Sequence, residues 1–263
     1  MEYRIRKEEY PSLLDVLDKD RYSNLFFIND IIRYGDTDDI AAYRVTDTLY
    51  ALSFRETSML LYSTGGYSKD DAISFLSRHS WKALMGPEDT LKALEDSFNT
   101  ENSYRKMLKA DTQCFRKKPR DERLRVLNTR KDYKELMMMY RKVASFRNDF
   151  PASEDDLAID RFMSEDYPFA AVGLAEDGRI RSGAYLSAAS RRCAMIVGVA
   201  TEPGYEGRGF ASSVVSELLD IALNQFGLEY ICLWYSTERA HRVYSKLGFM
   251  PVSDYAYFKR KEK

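Results

Sequence analysis

One junction constrains this chain more than any other. The apolar run Ala194-Met195-Ile196-Val197-Gly198-Val199-Ala200 gives way to Thr201-Glu202-Pro203-Gly204-Tyr205-Glu206-Gly207-Arg208-Gly209, and a strongly periodic stretch follows. Phe210, Val214, Leu218, Ala222 and Phe226 recur every four residues, joined by Ala211, Val215, Leu219 and Leu223, and Gly227 closes the pattern as a helix C′ residue does. Buried strand, glycine loop and helix therefore follow in order, an α/β arrangement. A helix start leaves several N–H groups unpartnered at the positive end of its dipole, so an anion fits there without a basic side chain. Gly207 and Gly209 remove side chains where a ligand approaches and permit the positive φ that lets successive amides converge. The loop is shaped for a pyrophosphate.

Two common nucleotide loops fit less well. Gly204 and Gly209 have the Walker A spacing, but Phe210-Ala211 stands where Lys-Ser/Thr would supply the cation and the metal ligand. Gly207-Arg208-Gly209 opens a G-x-G with Glu229 about 20 residues on, yet Ser212 occupies the third glycine position.

Glu206-Gly207-Arg208-Gly209-Phe210-Ala211 instead resembles the acetyl-CoA loop of the GNAT acetyltransferases, Gln/Arg-x-x-Gly-x-Gly/Ala, with Gly209 and Ala211 at the small positions and Glu206 departing from Gln/Arg. Ala240-His241-Arg242-Val243-Tyr244-Ser245-Lys246-Leu247-Gly248-Phe249 is similar to the family's Ala-x-x-x-Tyr-x-x-x-Gly-Phe helix, and the strand candidate Tyr230–Tyr235 lies between the two motifs. Thr237 stands where the family often has Asn.

The resemblance implies acetyl transfer from acetyl-CoA directly to a primary amine of a small molecule or peptide, with no metal. It assigns the pyrophosphate to Gly207, Arg208, Gly209, Phe210, Ala211 and Ser212, with Arg208 available as a charge. Backbone contacts to the pantetheine arm fall to Val199, Ala200 and Thr201, and proton donation to the departing thiolate falls to Tyr244. Taken alone, Tyr244 reads equally as a core aromatic beside Ala240, Val243 and Leu247. Glu202 is a candidate base that also reads as a surface turn carboxylate. Phe146, Phe150 and Tyr167 are candidates for the acceptor pocket. A noncatalytic acyl-CoA sensor is the alternative, carried by Glu206 and Thr237.

The first half repeats the order of the second. Leu49–Phe54 and Met59–Tyr62 read as strands, 63–67 as a loop, Ser68–Arg78 as a helix, Trp81–Gly86 as a strand, Pro87–Phe98 as a helix and Tyr104–Cys114 as a last strand. Its loop leads into Asp70-Asp71, which suit a helix start but repel a phosphate. The prediction is two GNAT-like α/β domains, each a mixed sheet flanked by helices in the order β-β-loop-α-β-α-β. A degenerate copy spans 1–118 and the CoA-binding copy spans 119–263, divided at the charged stretch Phe115–Glu122. An unrelated α/β cap is the other reading of the first half.

Forty basic and 41 acidic residues leave a net charge of −1, so neither nucleic acid nor an anionic membrane is expected as a partner. Cys114, Cys193 and Cys232 are too few and scattered for a disulfide framework. Without a visible signal peptide or spanning segment, a cytoplasmic location is expected. The oligomeric state stays open, a homodimer included. With no Cys-x-x-Cys, His-Glu-x-x-His or Gly-x-Ser-x-Gly, metal and triad hydrolases are disfavoured.

Overall fold

Consecutive apolar residues in the central strands of the first half build a sheet with a core on each face. Its elements are β1 (Tyr3–Arg4), α1 (Tyr10–Leu17), α2 (Leu25–Tyr34), β2 (Ile40–Arg44), β3 (Leu49–Phe54), β4 (Ser58–Ser63), α3 (Lys69–Arg78), β5 (Ala83–Pro87), α4 (Glu88–Lys92) and β6 (Thr100–Ala110). Strands β1 to β4 pair antiparallel in sequence order, and β5 then pairs parallel to β4. That parallel step needs the α3 crossover. Successive side chains point to opposite faces: Leu52 and Leu60 pack with Leu17, Phe27 and Ile28 of the first two helices, while Ala51 and Leu61 pack with Phe75 and Leu76 of α3.

The second half runs β7 (Leu124–Leu127), α5 (Arg130–Tyr140), α6 (Asp155–Met163), β8 (Ala171–Glu176), β9 (Arg179–Ser187), β10 (Cys193–Thr201), α7 (Phe210–Asp220), β11 (Tyr230–Tyr235) and α8 (Glu238–Lys246), followed by β12 (Met250–Arg260). It repeats the first-half pattern: β7 to β10 pair antiparallel in sequence order, and β11 pairs parallel to β10. One core joins Val214, Leu218 and Leu219 of α7 to Val172, Ala184 and Ile231. The opposite core joins Tyr133, Leu136 and Tyr140 of α5 to Ala171 and Ile180. Past Asp220 the helix continues as a π-helical turn, Ile221–Gln225, and Gly227 ends it at φ +68°.

This computed structural model describes residues 2–147, 151–163 and 169–261. The chain divides into one unit of Met1–Met107 with Pro251–Lys263 and a second unit of Leu108–Met250. The expected contiguous domains, 1–118 and 119–263, thus differ from the observed division. β12 pairs antiparallel with β5, from Tyr255 opposite Pro87 to Lys259 opposite Ala83, and buries Ala256 and Phe258 in the core of the first unit. In turn, Leu108 and Ala110 at the end of β6 belong to the core of the second. Alternation marks a strand's buried face but says nothing of which edge it joins.

Two first-half expectations shift in extent. The helix expected over Pro87–Phe98 is confined to Glu88–Lys92, and the strand expected over Tyr104–Cys114 runs Thr100–Ala110. Strand β8 and the opening elements β1, α1, α2 and β2 carry no motif landmark, and the sequence reading left them unassigned. Cys193 and Cys232 are buried in the sheet.

Candidate functional site

Strand β10 is where the second unit opens. It registers with β11 only from Cys193 opposite Tyr230 to Met195 opposite Cys232. On its other side the register with β9 slips between Val197 and Ala200. One extra residue in a strand makes a β-bulge, which bends the strand and re-aims its groups. Gly198 sits in the bulge at φ +66°, where a Cβ would lie 2.5 Å from the Tyr140 hydroxyl oxygen and 2.8 Å from the Tyr185 ring. Only glycine serves there, on grounds of both backbone and space. The sequence reading treated Gly198 as one member of an apolar run.

Beyond the bulge the three expected pantetheine residues separate. Thr201 lines an open cleft of about 620 Å³, whereas Val199 packs against the α7 core and Ala200 is buried on the opposite face. Ser182 holds this end of the strand, its hydroxyl donating to the Ala200 carbonyl at 2.8 Å and lying 3.0 Å from Thr201 Oγ1.

The loop then turns on Gly204, Gly207 and Gly209, at φ +88°, +77° and +81°. A Cβ on Gly204 or Gly207 would meet nothing within 4 Å, so these glycines are required by backbone conformation and not by crowding. Gly209 is the N-cap of α7, and no side chain caps that helix. Gly207, Gly209, Phe210, Ala211 and Ser212 all line the cleft, which brings together the expected anion-binding residues except one.

The exception is Arg208. Its guanidinium makes a two-point ion pair with Glu176, at 2.6 and 2.8 Å, and stacks over Tyr205 and Phe210 at 5.5 and 5.0 Å from the ring centroids. Arg123 joins the same Glu176 at 2.9 Å and the same Phe210 ring. Arg208 therefore braces the loop through Glu176 and is not among the residues that line the cleft. Glu206 does line it, and its Oε2 accepts the Gly204 N–H at 2.9 Å.

The cations of the cleft are ones the sequence reading did not single out: Lys118 and, from α8, Arg239, Arg242 and Lys246. On a helix, positions i, i+3 and i+7 share a face, a signal present in the sequence. Lys118 left no such trace. It is drawn in by its backbone N–H, which donates to Ser216 Oγ at 3.0 Å, and its Nζ reaches Ser213 Oγ at 3.4 Å.

Tyr244 lies on the same helix, yet it is 6% exposed and packs in the α7 core edge-on to Phe249, with its neighbours Val243 and Leu247 lining the cleft instead. Burial pushes its hydroxyl up to about 12, so the phenol stays protonated across the neutral range. Thr237, at the position where Asn was a point of comparison, is the N-cap of α8, its hydroxyl accepting the Ala240 N–H at 3.2 Å.

Glu202 receives Lys142 at 2.8 Å on one oxygen and Arg181 at 2.9 Å on the other. Burial alone would raise its carboxyl, but these two hydrogen-bonded cations outweigh it and hold the group below its ordinary value. A carboxylate so engaged is a brace for the strand end. Phe146 packs against Tyr140 at 5.3 Å, whereas Phe150 and Tyr167 lie outside the described residues. No helix among the described residues is long and apolar enough to cross a membrane.

Comparison with known proteins agrees with this geometry. Residues 133–249 match the family model described as the acetyltransferase (GNAT) family. No curated protein matches the sequence. Among solved structures, a Drosophila protein covers 99% of this chain and 98% of its own, with TM-score 0.69 and 11% identity. A GCN5-related N-acetyltransferase from Sphaerobacter thermophilus covers 99% and 95%, with TM-score 0.65 and 11% identity. A tandem GNAT protein from the clavulanic acid biosynthesis pathway covers 98% and 97%, with TM-score 0.54 and 8% identity. At such identities the likeness is one of fold, and it extends over both units.

Proposed function

We infer, from residues 133–249 being a domain of the GNAT acetyltransferase family, that this chain is an N-acetyltransferase moving the acetyl group of acetyl-CoA directly to a primary amine of a small molecule or peptide. Family and fold support acyl transfer in general. The observation that carries the finer reading is the bulged strand β10 running into the uncapped start of α7, beside a cleft. Amides at an uncapped helix start suit a pyrophosphate. A strand that leaves its parallel neighbour after three registered pairs frees backbone groups to receive the pantetheine amides and a developing oxyanion.

Direct transfer needs the amine to attack the thioester carbon while the C–S bond breaks, the amine nitrogen gives up a proton to water and the thiolate gains one. Tyr244 is the group for that last event: burial keeps its proton in place, and no hydrogen bond to its hydroxyl is found among the described residues. Glu202 is better suited to positioning than to taking a proton from the amine, because both its oxygens are held by cations.

Thiol release from acetyl-CoA, measured across a panel of primary amines, tests the reading. Turnover with at least one amine is expected. Tight CoA binding without turnover for any amine would place the chain among noncatalytic acyl-CoA binders.

A further inference from the structure

Several surface cations of the second unit are held by carboxylates. Lys117 pairs with Asp220, Arg120 with Glu217, Arg192 with Glu229, and Arg208 with Glu176. Among the described residues, however, Lys118, Arg239, Arg242 and Lys246 make no ion pair with any carboxylate, and all four line the one cleft. The three on α8 are exposed. Arg242 reaches only the backbone carbonyl of its own Glu238, at 3.4 Å. The one carboxylate in the lining, Glu206, is turned onto the Gly204 amide. In a chain of net charge −1, four unpaired cations converging on one opening, with the uncapped start of α7 beside them, make a local field suited to a multiply charged anion.

A pyrophosphate diester does not need all of them. It carries about two charges, and helix-start amides serve such a group without side-chain cations. We infer that the surplus, carried by Arg239, Arg242 and Lys246 on α8 with Lys118 opposite, recognises a second, separate phosphate on the same ligand: the 3′-phosphate of the adenosine end of CoA. This rests on the CoA reading above and sharpens it, because the chain then selects the 3′-phosphorylated coenzyme over its 3′-hydroxyl form. A phosphate monoester carries about −1.5 to −2 charge near neutral pH and accepts several charge-assisted hydrogen bonds. Being exposed, these contacts weaken with salt.

Calorimetric titration of the full chain with CoA and with 3′-dephospho-CoA tests this, at low and at high ionic strength. At low salt CoA should bind about tenfold or more tightly than the dephospho form, the gain of a few exposed charge-assisted contacts, and the ratio should shrink in high salt. In the exposed double variant Arg242→Ala/Lys246→Ala the ratio should fall to within about twofold, and Arg239→Ala alone should reduce it part of the way. Equal affinities in the unmodified chain, or a ratio that survives the double variant, would overturn the inference and leave the CoA reading standing. Binding of neither compound would overturn the CoA reading and this inference with it.

Discussion

The two units carry the same strand–loop–helix device, and they finish it differently. In the first, β3 and β4 pair without interruption from Leu49 opposite Ser63 to Phe54 opposite Ser58. β5 stays close to β4 one residue past their registered pairs: a Cβ on Gly86 would lie 2.2 Å from the Leu61 carbonyl oxygen. The loop is tied down, with Thr48 Oγ1 donating to the Gly66 carbonyl at 2.8 Å and Tyr67 bonded to the Thr90 carbonyl. The Ser68 hydroxyl caps α3 by accepting the Asp71 N–H, and Asp70 and Asp71 fill its first turn. In the second unit the strand bulges at Gly198, the loop turns on left-handed glycines, and α7 starts uncapped. A side-chain cap and two carboxylates are worth having where a helix only needs to be stable. Leaving them out destabilises the helix start slightly and leaves its amides for a ligand. The difference teaches that one frame served two ends: in the first unit the device is closed for stability, and in the second it is held open.

If that contrast is right, damage to the first unit should be read in stability and damage to the second in binding and turnover. The largest effect is expected from Phe258→Ala. The ring is fully buried in the first unit's core, contributed by a strand from the far end of the chain, and removing it should cost about 3–5 kcal/mol. Chemical denaturation would measure this. A loss below about 1 kcal/mol would mean that β12 is not integral to that core. Next comes Gly209→Glu. The new carboxylate would stand at the α7 N-cap, where the pyrophosphate is proposed to bind, and the left-handed φ of +81° adds strain. CoA affinity should drop by about 100-fold or more, while unchanged affinity would reject the placement of the pyrophosphate.

The sequence disclosed much of this contrast and concealed its cause. Glycine spacing and a four-residue period made the loop and α7 legible because both are local signals, and Asp70-Asp71 marked the first copy as unlike the second for the same reason. The exchange of β12 was hidden, since Ala256 and Phe258 look alike whichever core receives them. Arg208 misled because a cation within the motif reads as a ligand until Glu176, 32 residues earlier in the chain, is found to hold it. Lys118 is the converse case, a linker residue brought to the cleft by hydrogen bonds to α7. Gly198 was in plain view, but a glycine inside an apolar run says nothing of a bulge until the ring of Tyr185 and the hydroxyl of Tyr140 close around it.

Tyr244→Phe tests the chemistry in the open unit. Removing one oxygen from a buried ring leaves its packing, so CoA affinity should hold while kcat falls about 10- to 100-fold, the lower part of the range for a lost general acid. Undiminished turnover would sink the proton-donor assignment. The pH profile gives a second reading: with the hydroxyl pushed up to about 12, the acid form prevails below that value, and Tyr244 should produce no alkaline decline in kcat below about pH 10. In the closed unit, Ser68→Ala should remove about 1 kcal/mol of stability by uncapping α3 and leave CoA affinity unchanged. Any fall in CoA affinity would show that the two helix starts are not functionally separate.

The smallest expected effect concerns a feature that both helix starts share, a nearby carboxylate. In the first unit Asp70 and Asp71 belong to α3, whereas Glu206 in the second is exposed and turned onto its own loop at the Gly204 amide. A bound pyrophosphate would meet that negative charge at the rim. Glu206→Gln keeps an oxygen for the Gly204 N–H and removes the charge, so CoA affinity should rise by about two- to threefold at low salt, and the gain should fade as salt screens it. A decrease would mean instead that the charged form of Glu206 is what holds the loop in its receptive shape, and that the open unit, like the closed one, depends on an acidic side chain for its conformation.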